Sequence, residues 1–377
     1  MGAMVLVPFR QLKADQHESM EPKWIPRLLI KPGACPGSSQ EQPMQAYVIQ
    51  AGEGPQGLQR RDIVDTPLAP HEVRVRVHAV SLNHRDLTFA KRPATTPPQI
   101  PCSDAAGEVI EVGSAVTRLR VGQRVMSQFF PLWDEGPLTP EKTALLLGGS
   151  SPGVLAQIVV LPASAWVPLP DELGYREAAT LPCAGVTAWN ALFGFDPLQP
   201  GDRVLTLGTG GVSLWALQLG HAAGLQMIVS SSDDAKLEQA KRLGAAATIN
   251  YRRHPDWAAV ARALSGGRGV DRVIDTTGRE TLSPSMAALR HGGAVAMVGG
   301  VTGWGGELNA AAMLDGALRL QGVLVGSRAS AEALLRFVVA ARIEPLIARC
   351  YPFEQARDAF EHLASQRHVG KIVIDLA

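Results

Sequence analysis

The chain has 377 residues, of which 46% are hydrophobic and 19% charged, and its formal net charge is +1. That length exceeds a single sheet domain, and the apolar fraction is ordinary for a globular protein. Near-neutral charge with 5% aromatics excludes the basic field and stacking platform of a nucleic-acid binder, and no apolar run reaches the roughly 18 residues of a membrane span. Cys35, Cys102, Cys183 and Cys350 show no paired spacing, which fits a reducing cytoplasm.

Residues 1–43 carry Pro8, Pro22, Pro26, Pro32, Pro36 and Pro43 with mixed charge and no sustained periodicity, the pattern of a poorly ordered extension. Asp15, Glu18, Glu21 and Glu41 argue against a transit peptide, and no continuous apolar core suggests a secretion signal. From Met44 to about Asp171 the pattern turns to short strands. Glu72–Val80 places valines on one face and charges on the other, as a half-buried strand requires. Gly107–Gly113, Gln123–Met126 and Leu155–Val160 continue the series between Gly and Pro turns. The expectation is an all-β, barrel-like unit. Within it, Phe129–Trp133 and the stretch to Pro152 form a long loop whose aromatics either wall an apolar pocket or anchor the loop.

The most informative stretch follows. Arg203–Leu207 reads as a strand, Gly208-Thr209-Gly210-Gly211-Val212-Ser213 as a glycine turn, and Leu214–Gly224 as a helix. Such a turn wraps a backbone around a dinucleotide pyrophosphate: Gly208 turns sharply off the strand, Gly210 lets the phosphates approach the backbone, and Gly211 and Val212 open the helix whose positive end faces the anion. Ser213 departs from the usual third Gly or Ala. Further strands are expected at Leu225–Ser230, Thr248–Asn250, Val270–Thr276, Gly293–Val298 and Arg319–Val325. Helices are expected near Asp234–Leu243, Asp256–Leu264 and Leu282–Leu289. Six strands alternating with helices predict an α/β, doubly wound parallel sheet. Gly299, just past the fifth strand, joins the cofactor-binding candidates.

Ser81-Leu-Asn-His-Arg-Asp-Leu87, Pro101-Cys-Ser-Asp-Ala-Ala-Gly-Glu-Val109, Val121-Gly-Gln-Arg-Val125, Leu181-Pro-Cys-Ala-Gly-Val-Thr-Ala-Trp189 and Gly370-Lys-Ile-Val-Ile374 occur in the order found in the medium-chain dehydrogenase/reductase superfamily. The chain resembles its zinc-free quinone oxidoreductase and alcohol dehydrogenase-like branch from Met44 to Ala377. The resemblance implies a GroES-like β-barrel catalytic domain at 44–171, completed by 328–377, and a Rossmann dinucleotide-binding domain at 172–327.

It also frames the chemistry. Zinc-dependent relatives hold the metal with an early Cys, a His in a Gly-His-Glu string and a later Cys or Asp. Here Asn83 replaces the first Cys, Cys102-Ser103-Asp104 replaces Gly-His-Glu, and only Cys183 remains. One thiolate cannot make a tetrahedral site, so no zinc is expected. An improvised Cys102/His84/Cys183 site is the rival. Without a Lewis acid, hydride transfer to a quinone, enone or other activated carbonyl is the expected reaction. An alcohol dehydrogenase or enoyl-thioester reductase is the runner-up within the superfamily, and a redox-sensing or structural nucleotide binder with little turnover is the alternative of another class.

By resemblance, Asn83 and Thr187 line the nicotinamide side; equally, Asn83 satisfies turn backbone and Thr187 caps a helix. His84 is the candidate proton donor, against the reading of a solvated loop histidine. Asp86 and Asp104 organise loops or assist a relay. Ser231 and Ser232, with Ser230, stand where an NAD site carries an acid, and Lys236 and Tyr251 match positions that contact the adenosine phosphate in NADPH-using quinone reductases. NADP(H) is therefore favoured and NAD(H) is the alternative. An N-cap serine and a surface lysine are the bland reading, and Asp233 and Asp234 would repel phosphate if they pointed inward. Arg328 is a candidate for a cofactor phosphate or a loop carbonyl. The expected partners are a small-molecule substrate and a second copy of the chain, because the apolar edge strand Leu320–Val325 is a hazard if exposed and relatives commonly pair this edge.

Overall fold

The computed structural model describes residues 44–63, 66–93 and 97–376; the extension expected at 1–43 lies outside the described residues. Strands β1 (Met44–Ile49) and β2 (Leu58–Ile63) form a small antiparallel ladder. The catalytic-side sheet is built from β3 (Glu72–Ser81), β4 (Asp104–Val112), β5 (Arg124–Ser127), β6 (Ile158–Pro162) and β7 (Trp166–Pro168). The long β3 is its centre. One edge pairs with β4, while the other takes β6 along Glu72–Arg76 and a C-terminal strand along Ala79–Ser81.

This centrality corrects the expected half-exposed strand. Arg76 is exposed, but Glu72 and Arg74 are only 8% and 9% exposed. Arg74 Nε meets Glu111 Oε2 at 2.7 Å and its guanidinium also reaches the Thr66 carbonyl, while Glu72 accepts from Ala69 N–H. The charges are sealed at the strand's start by partners rather than turned to water. The strand expected at Leu155–Val160 also starts later, at Ile158, because Val154 and Leu155 N–H groups donate to the Pro101 and Cys102 carbonyls and hold that segment as a loop.

The second unit is the expected parallel sheet, made of β8 (Arg203–Leu207), β9 (Gln226–Ser231), β10 (Ala247–Asn250), β11 (Val270–Asp275), β12 (Leu289–Met297) and β13 (Arg319–Gly322). The order β10-β9-β8-β11-β12-β13 reverses direction between β8 and β11, which opens the crevice where such sheets bind ligands. The edge strand is shorter than expected: pairing with β12 ends at Gly322, and Val325 adopts a left-handed φ of 50°. Buried Arg272 on β11 donates to the carbonyls of Ala191, Leu192 and Asp196 and stacks on Phe195 at 4.0 Å. It thereby caps the C-terminal end of helix Val186–Phe193 with a cation, where the orphan carbonyls and dipole favour one.

After helix Arg328–Ala340 the chain returns to the first sheet through β14 (Ile347–Pro352) and β15 (Lys371–Asp375), and β15 pairs antiparallel with β3. The segment entering β15 is stitched to the Rossmann unit: Gly370 N–H donates to Thr209 O at 3.1 Å, and Lys236 Nζ donates to Gln366 O and His368 O at 2.8 and 3.2 Å.

Burial, reinforced by His362, Lys236 and Lys371, pushes the His368 imidazole down from 6.5 to about 4. The folded state keeps it neutral while the unfolded chain takes up a proton, so its contribution is present above pH 6.5 and is lost as pH falls towards 4. Between pH 7 and 4.5 the wild type is expected to lose about 1–2 kcal/mol more stability than His368→Gln, after discounting for the ring's partial exposure. Urea unfolding at the two pH values measures it; parallel losses would refute this assignment.

Candidate active site

β8 ends at Leu207 and the chain turns at Gly208, whose φ of +80° suits a residue without Cβ and whose N–H donates to Ser230 O at 2.8 Å. A Cβ on Gly210 would meet nothing within 4 Å, so the backbone there faces open space, as close approach of a pyrophosphate requires. Helical bonding in Gly211–Ala222 begins with Leu214 N–H to Gly210 O. The amides of Gly211, Val212 and Ser213 precede that first bond and face the end where an anion is favoured. Ser213 is buried and its Oγ donates to Leu207 O at 2.7 Å. The departure from Gly or Ala therefore leaves the helix packed against the strand and ties the two together.

Thr276 Oγ1 donates to the same carbonyl at 3.1 Å, and a Cβ on Gly299 would stand 2.6 Å from Thr276 O. Gly299 is thus required by close backbone approach between the ends of the neighbouring strands β11 and β12. Asp275, fully buried at the end of β11, accepts from the Thr277 and Gly278 amides and the Thr281 and Ser285 hydroxyls. It fixes this loop beside the glycine turn. Sequence reasoning missed it, although an acid ending a strand before Thr-Thr-Gly was the available signal.

At the end of β9, Ser231 is buried and Ser232 half-buried. Asp233 caps helix Asp234–Arg242 by accepting from Ala235 and Lys236 N–H, and Asp234 pairs with Arg253 and Asn250 Nδ2. Both acids are engaged locally. Tyr251 donates its N–H to Ser231 O and leaves its side chain exposed, next to exposed Arg252, whose guanidinium has no partner among the described residues. Lys236 is turned instead onto the carbonyls of Gln366 and His368.

Asn83 is the N-cap of helix His84–Ala90, and its N–H donates to Asp86 Oδ2 at 2.8 Å. Its Oδ1 accepts from Lys371 Nζ at 2.6 Å, and Leu82 O accepts from the same ammonium at 2.6 Å. Lys371 is 3% exposed, and its stem passes so close to the turn that a Cβ on Gly211 would lie 2.6 Å from Lys371 Cδ. Sequence reasoning quoted Gly370-Lys371 as a family string without giving the lysine a role. Asp104 accepts from Ser103 Oγ at 2.6 Å and from Cys183 N–H at 3.0 Å. Burial, strengthened by Asp104, holds the Cys183 thiol above its ordinary range. Burial likewise lifts Asp86 to about 6 against the pull of Arg85.

The structure brings Asn83 and Lys371 together beside the glycine turn and sets Cys183 against Asp104. Thr187 is buried as the second residue of helix Val186–Phe193; Gly185 holds the N-cap position, so the capping alternative fails. His84 is exposed on the first turn of its helix. Arg328 turns to the loop through Asp134 at 2.7 Å, its N–H donates to Trp133 O, and it also stands 3.9 Å from Glu332 on its own helix. Phe129 and Phe130 are 5% and 3% exposed, anchors of that loop. Among the described residues no group of three or more His, Cys, Asp or Glu could hold a metal ion.

Ser213→Ala is expected to cost about 1 kcal/mol of unfolding stability, leaving the Leu207 carbonyl with one hydroxyl donor. Nucleotide dissociation constants should change by less than about threefold, because the hydroxyl points to the strand. Denaturation and calorimetric titration check the pair of outcomes, and a large loss of nucleotide affinity would contradict the placement.

Two family models match the chain: the alcohol dehydrogenase GroES-like domain over residues 69–171 and the zinc-binding dehydrogenase domain over residues 211–340. A zinc-type alcohol dehydrogenase-like protein of Schizosaccharomyces pombe is 41% identical over 83% of this chain and 93% of its own length. A quinone oxidoreductase of Pseudomonas aeruginosa is 29% identical, covering 85% and 96% respectively. The crystal structure of a candidate alcohol dehydrogenase from Sinorhizobium meliloti 1021 superposes with a TM-score of 0.83 at 36% identity, covering 90% of this chain and all of that one. With these two domain matches over the β-barrel unit and the parallel sheet, and relatives that span nearly the whole of both, the chain belongs to the medium-chain dehydrogenase/reductase superfamily and is a nicotinamide-dependent oxidoreductase.

Proposed function

We propose that the chain is a zinc-independent, NADPH-dependent reductase that transfers hydride to a quinone, an enone or another activated carbonyl compound. The observation that carries this reading is the bond from Lys371 Nζ to Asn83 Oδ1. At the position where zinc-dependent relatives place their first cysteine, this chain holds an amide already engaged by its own buried cation. A divalent ion beside that ammonium would meet like charge, and Asp104 is committed to Ser103 and the Cys183 amide.

When bound, NADPH supplies the hydride. The chain's part is placement: the Gly208–Ser213 turn receives the pyrophosphate, Gly299 allows the second wall of the crevice to close in, and Thr187 and Asn83 border the nicotinamide side. An electron-poor acceptor needs no Lewis acid. Asp86, held at about 6, keeps a proton within reach of neutral pH, and His84 is the exposed alternative donor. The 2′-phosphate reading is supported by Ser231 and Ser232, by the local engagement of Asp233 and Asp234, and by Tyr251 and Arg252 exposed beside them. Lys236 adds charge at the same seam, and Arg328 serves the loop rather than a phosphate.

A homodimer formed through the sheet edge is part of the proposal. β13 lies at that edge, and Leu314 and Leu324 are 81% and 51% exposed nearby in the chain. The cysteines among the described residues, Cys102, Cys183 and Cys350, are unpaired, which suits a reducing cytoplasm, and no helix among the described residues is long and apolar enough to cross a membrane.

Deuterium from stereospecifically labelled NADPH is expected in the product of quinone or enone reduction, with undiminished rates after chelation and zinc far below one per chain. Absence of transfer to every such acceptor would sink the proposal, and stoichiometric zinc would overturn its metal-free part. NADPH is expected to bind about tenfold or more tightly than NADH; calorimetry with both nucleotides decides it, and an NADH preference reverses the cofactor reading. Light scattering should give twice the chain mass, whereas a monomer would dismiss the edge pairing.

A further inference from the structure

Arg85 sits on the first turn of helix His84–Ala90, two residues from Asn83. Its guanidinium lies over the rings of Phe89 and Phe129, 4.3 and 4.8 Å from their centroids. Both terminal nitrogens are buried without a hydrogen-bond partner among the described residues. NH1 stands 3.6 Å from Asp86 Oδ1, an ion-pair separation but too long for a hydrogen bond. The aromatic faces partly compensate the charge yet leave the in-plane N–H groups unsatisfied. Arginine cannot escape by losing its proton. Asn83 Nδ2, on the same turn, is also buried without a partner. Arg85 belongs to the site electrostatically, since its charge acts on both Cys102 and Cys183.

Two adjacent amino groups in one plane form the fork that carboxylates fill with paired hydrogen bonds. We propose that Arg85 binds a carboxylate carried by the substrate, so that the preferred acceptors are conjugated oxo acids, with Phe89 and Phe129 holding the fork in place. This rests on the reductase reading for its turnover test, but carboxylate binding itself does not.

The full-length protein is assayed with 4-oxopent-2-enoate and with its methyl ester, which keeps the enone and removes the anion. Wild type is expected to favour the acid by about tenfold or more in kcat/KM. Arg85→Met should lower the acid's value by about a hundredfold, chiefly through KM, and leave the ester within about threefold; Arg85→Lys should recover part of the loss. Equal use of acid and ester by the wild type, or a parallel loss in the variant, overturns the proposal; the wild-type comparison stands even if Arg85→Met fails to fold. A separate titration with the saturated acid 4-oxopentanoate in the presence of NADP⁺ needs no turnover. Binding by wild type and about tenfold weaker binding by a folded Arg85 variant would uphold Arg85 even if neither enone oxidises NADPH, in which case only the reductase reading falls. No binding by wild type would remove Arg85 from substrate recognition.

Discussion

The bond network of Lys371 joins the parts that make a site. Its ammonium meets Leu82 O and Asn83 Oδ1, its stem lies across Gly211, and its backbone belongs to β15, which pairs with β3. One side chain therefore connects the strand that completes the first sheet, the turn that begins helix His84–Ala90 and the glycine turn after β8. A charge this deep is tolerable only with close oxygen partners. Removing those partners leaves it exposed to the full cost of burial, so the position of Asn83 and the course of the glycine turn are coupled through the lysine. Gly370 N–H on Thr209 O and Lys236 on the carbonyls of Gln366 and His368 brace the same return segment from either side.

Around that cation the site is a pattern of charge in low dielectric. Asp104 is satisfied twice, by a hydroxyl and an amide, whereas Asp86 accepts from Asn83 N–H through one oxygen and leaves Oδ1 without a hydrogen bond. Burial holds Asp86 up near 6 against the pull of Arg85 and the Asn83 amide, while the carboxylate that bridges β4 to Cys183 serves as a fixed strut. Buried polar groups left unsatisfied are costly. Four of the ten such side-chain atoms among the described residues fall at Asn83, Arg85 and Asp86, while the others are scattered singly, so this turn is where a bound polar group would relieve the largest cluster of them.

The parallel sheet was legible in the sequence because apolar strands and capped helices alternate, and the order of its strands follows from the handedness of their connections. The barrel was legible less fully: period-two alternation in Glu72–Val80 predicted a wet face, yet Glu72 and Arg74 are buried on partners contributed by Ala69, Thr66 and Glu111, and Arg76 alone of the three is exposed. The glycine turn was read correctly as backbone geometry. What could not be read was partnership. Whether Asp233 and Asp234 face a phosphate or a helix end, whether Lys236 and Arg328 meet a ligand or the chain itself, and that Lys371 crosses to Asn83 all depend on contacts between segments far apart in sequence. The near-sequence rules cover the caps: Asp233 before Ala235 and Lys236 is such a cap, and the triad of serines before it is not.

Two substitutions relative to the family strings show how local geometry outlives the residue that usually supplies it. Ser213 occupies a position where a small residue lets helix and strand approach, and its hydroxyl meets the strand carbonyl instead of opening a gap. Cys102 stands where the family string has glycine, and it keeps a left-handed φ of 71°, which carries a steric cost for a residue with a Cβ. Gly148 and Gly153 explain why the chain holds it there: a Cβ on either would fall 2.6 or 2.2 Å from Cys102 O. The loop after the aromatics is laid down against that backbone, and Gly153 and Val154 N–H groups bond into the same stretch at Ile100, Pro101 and Cys102. Packing by the neighbouring loop thus fixes the path of the backbone at Cys102. The path matters because it leads directly into Ser103 and Asp104, where one carboxylate accepts from both Ser103 Oγ and Cys183 N–H and so ties β4 to the turn before helix Val186–Phe193.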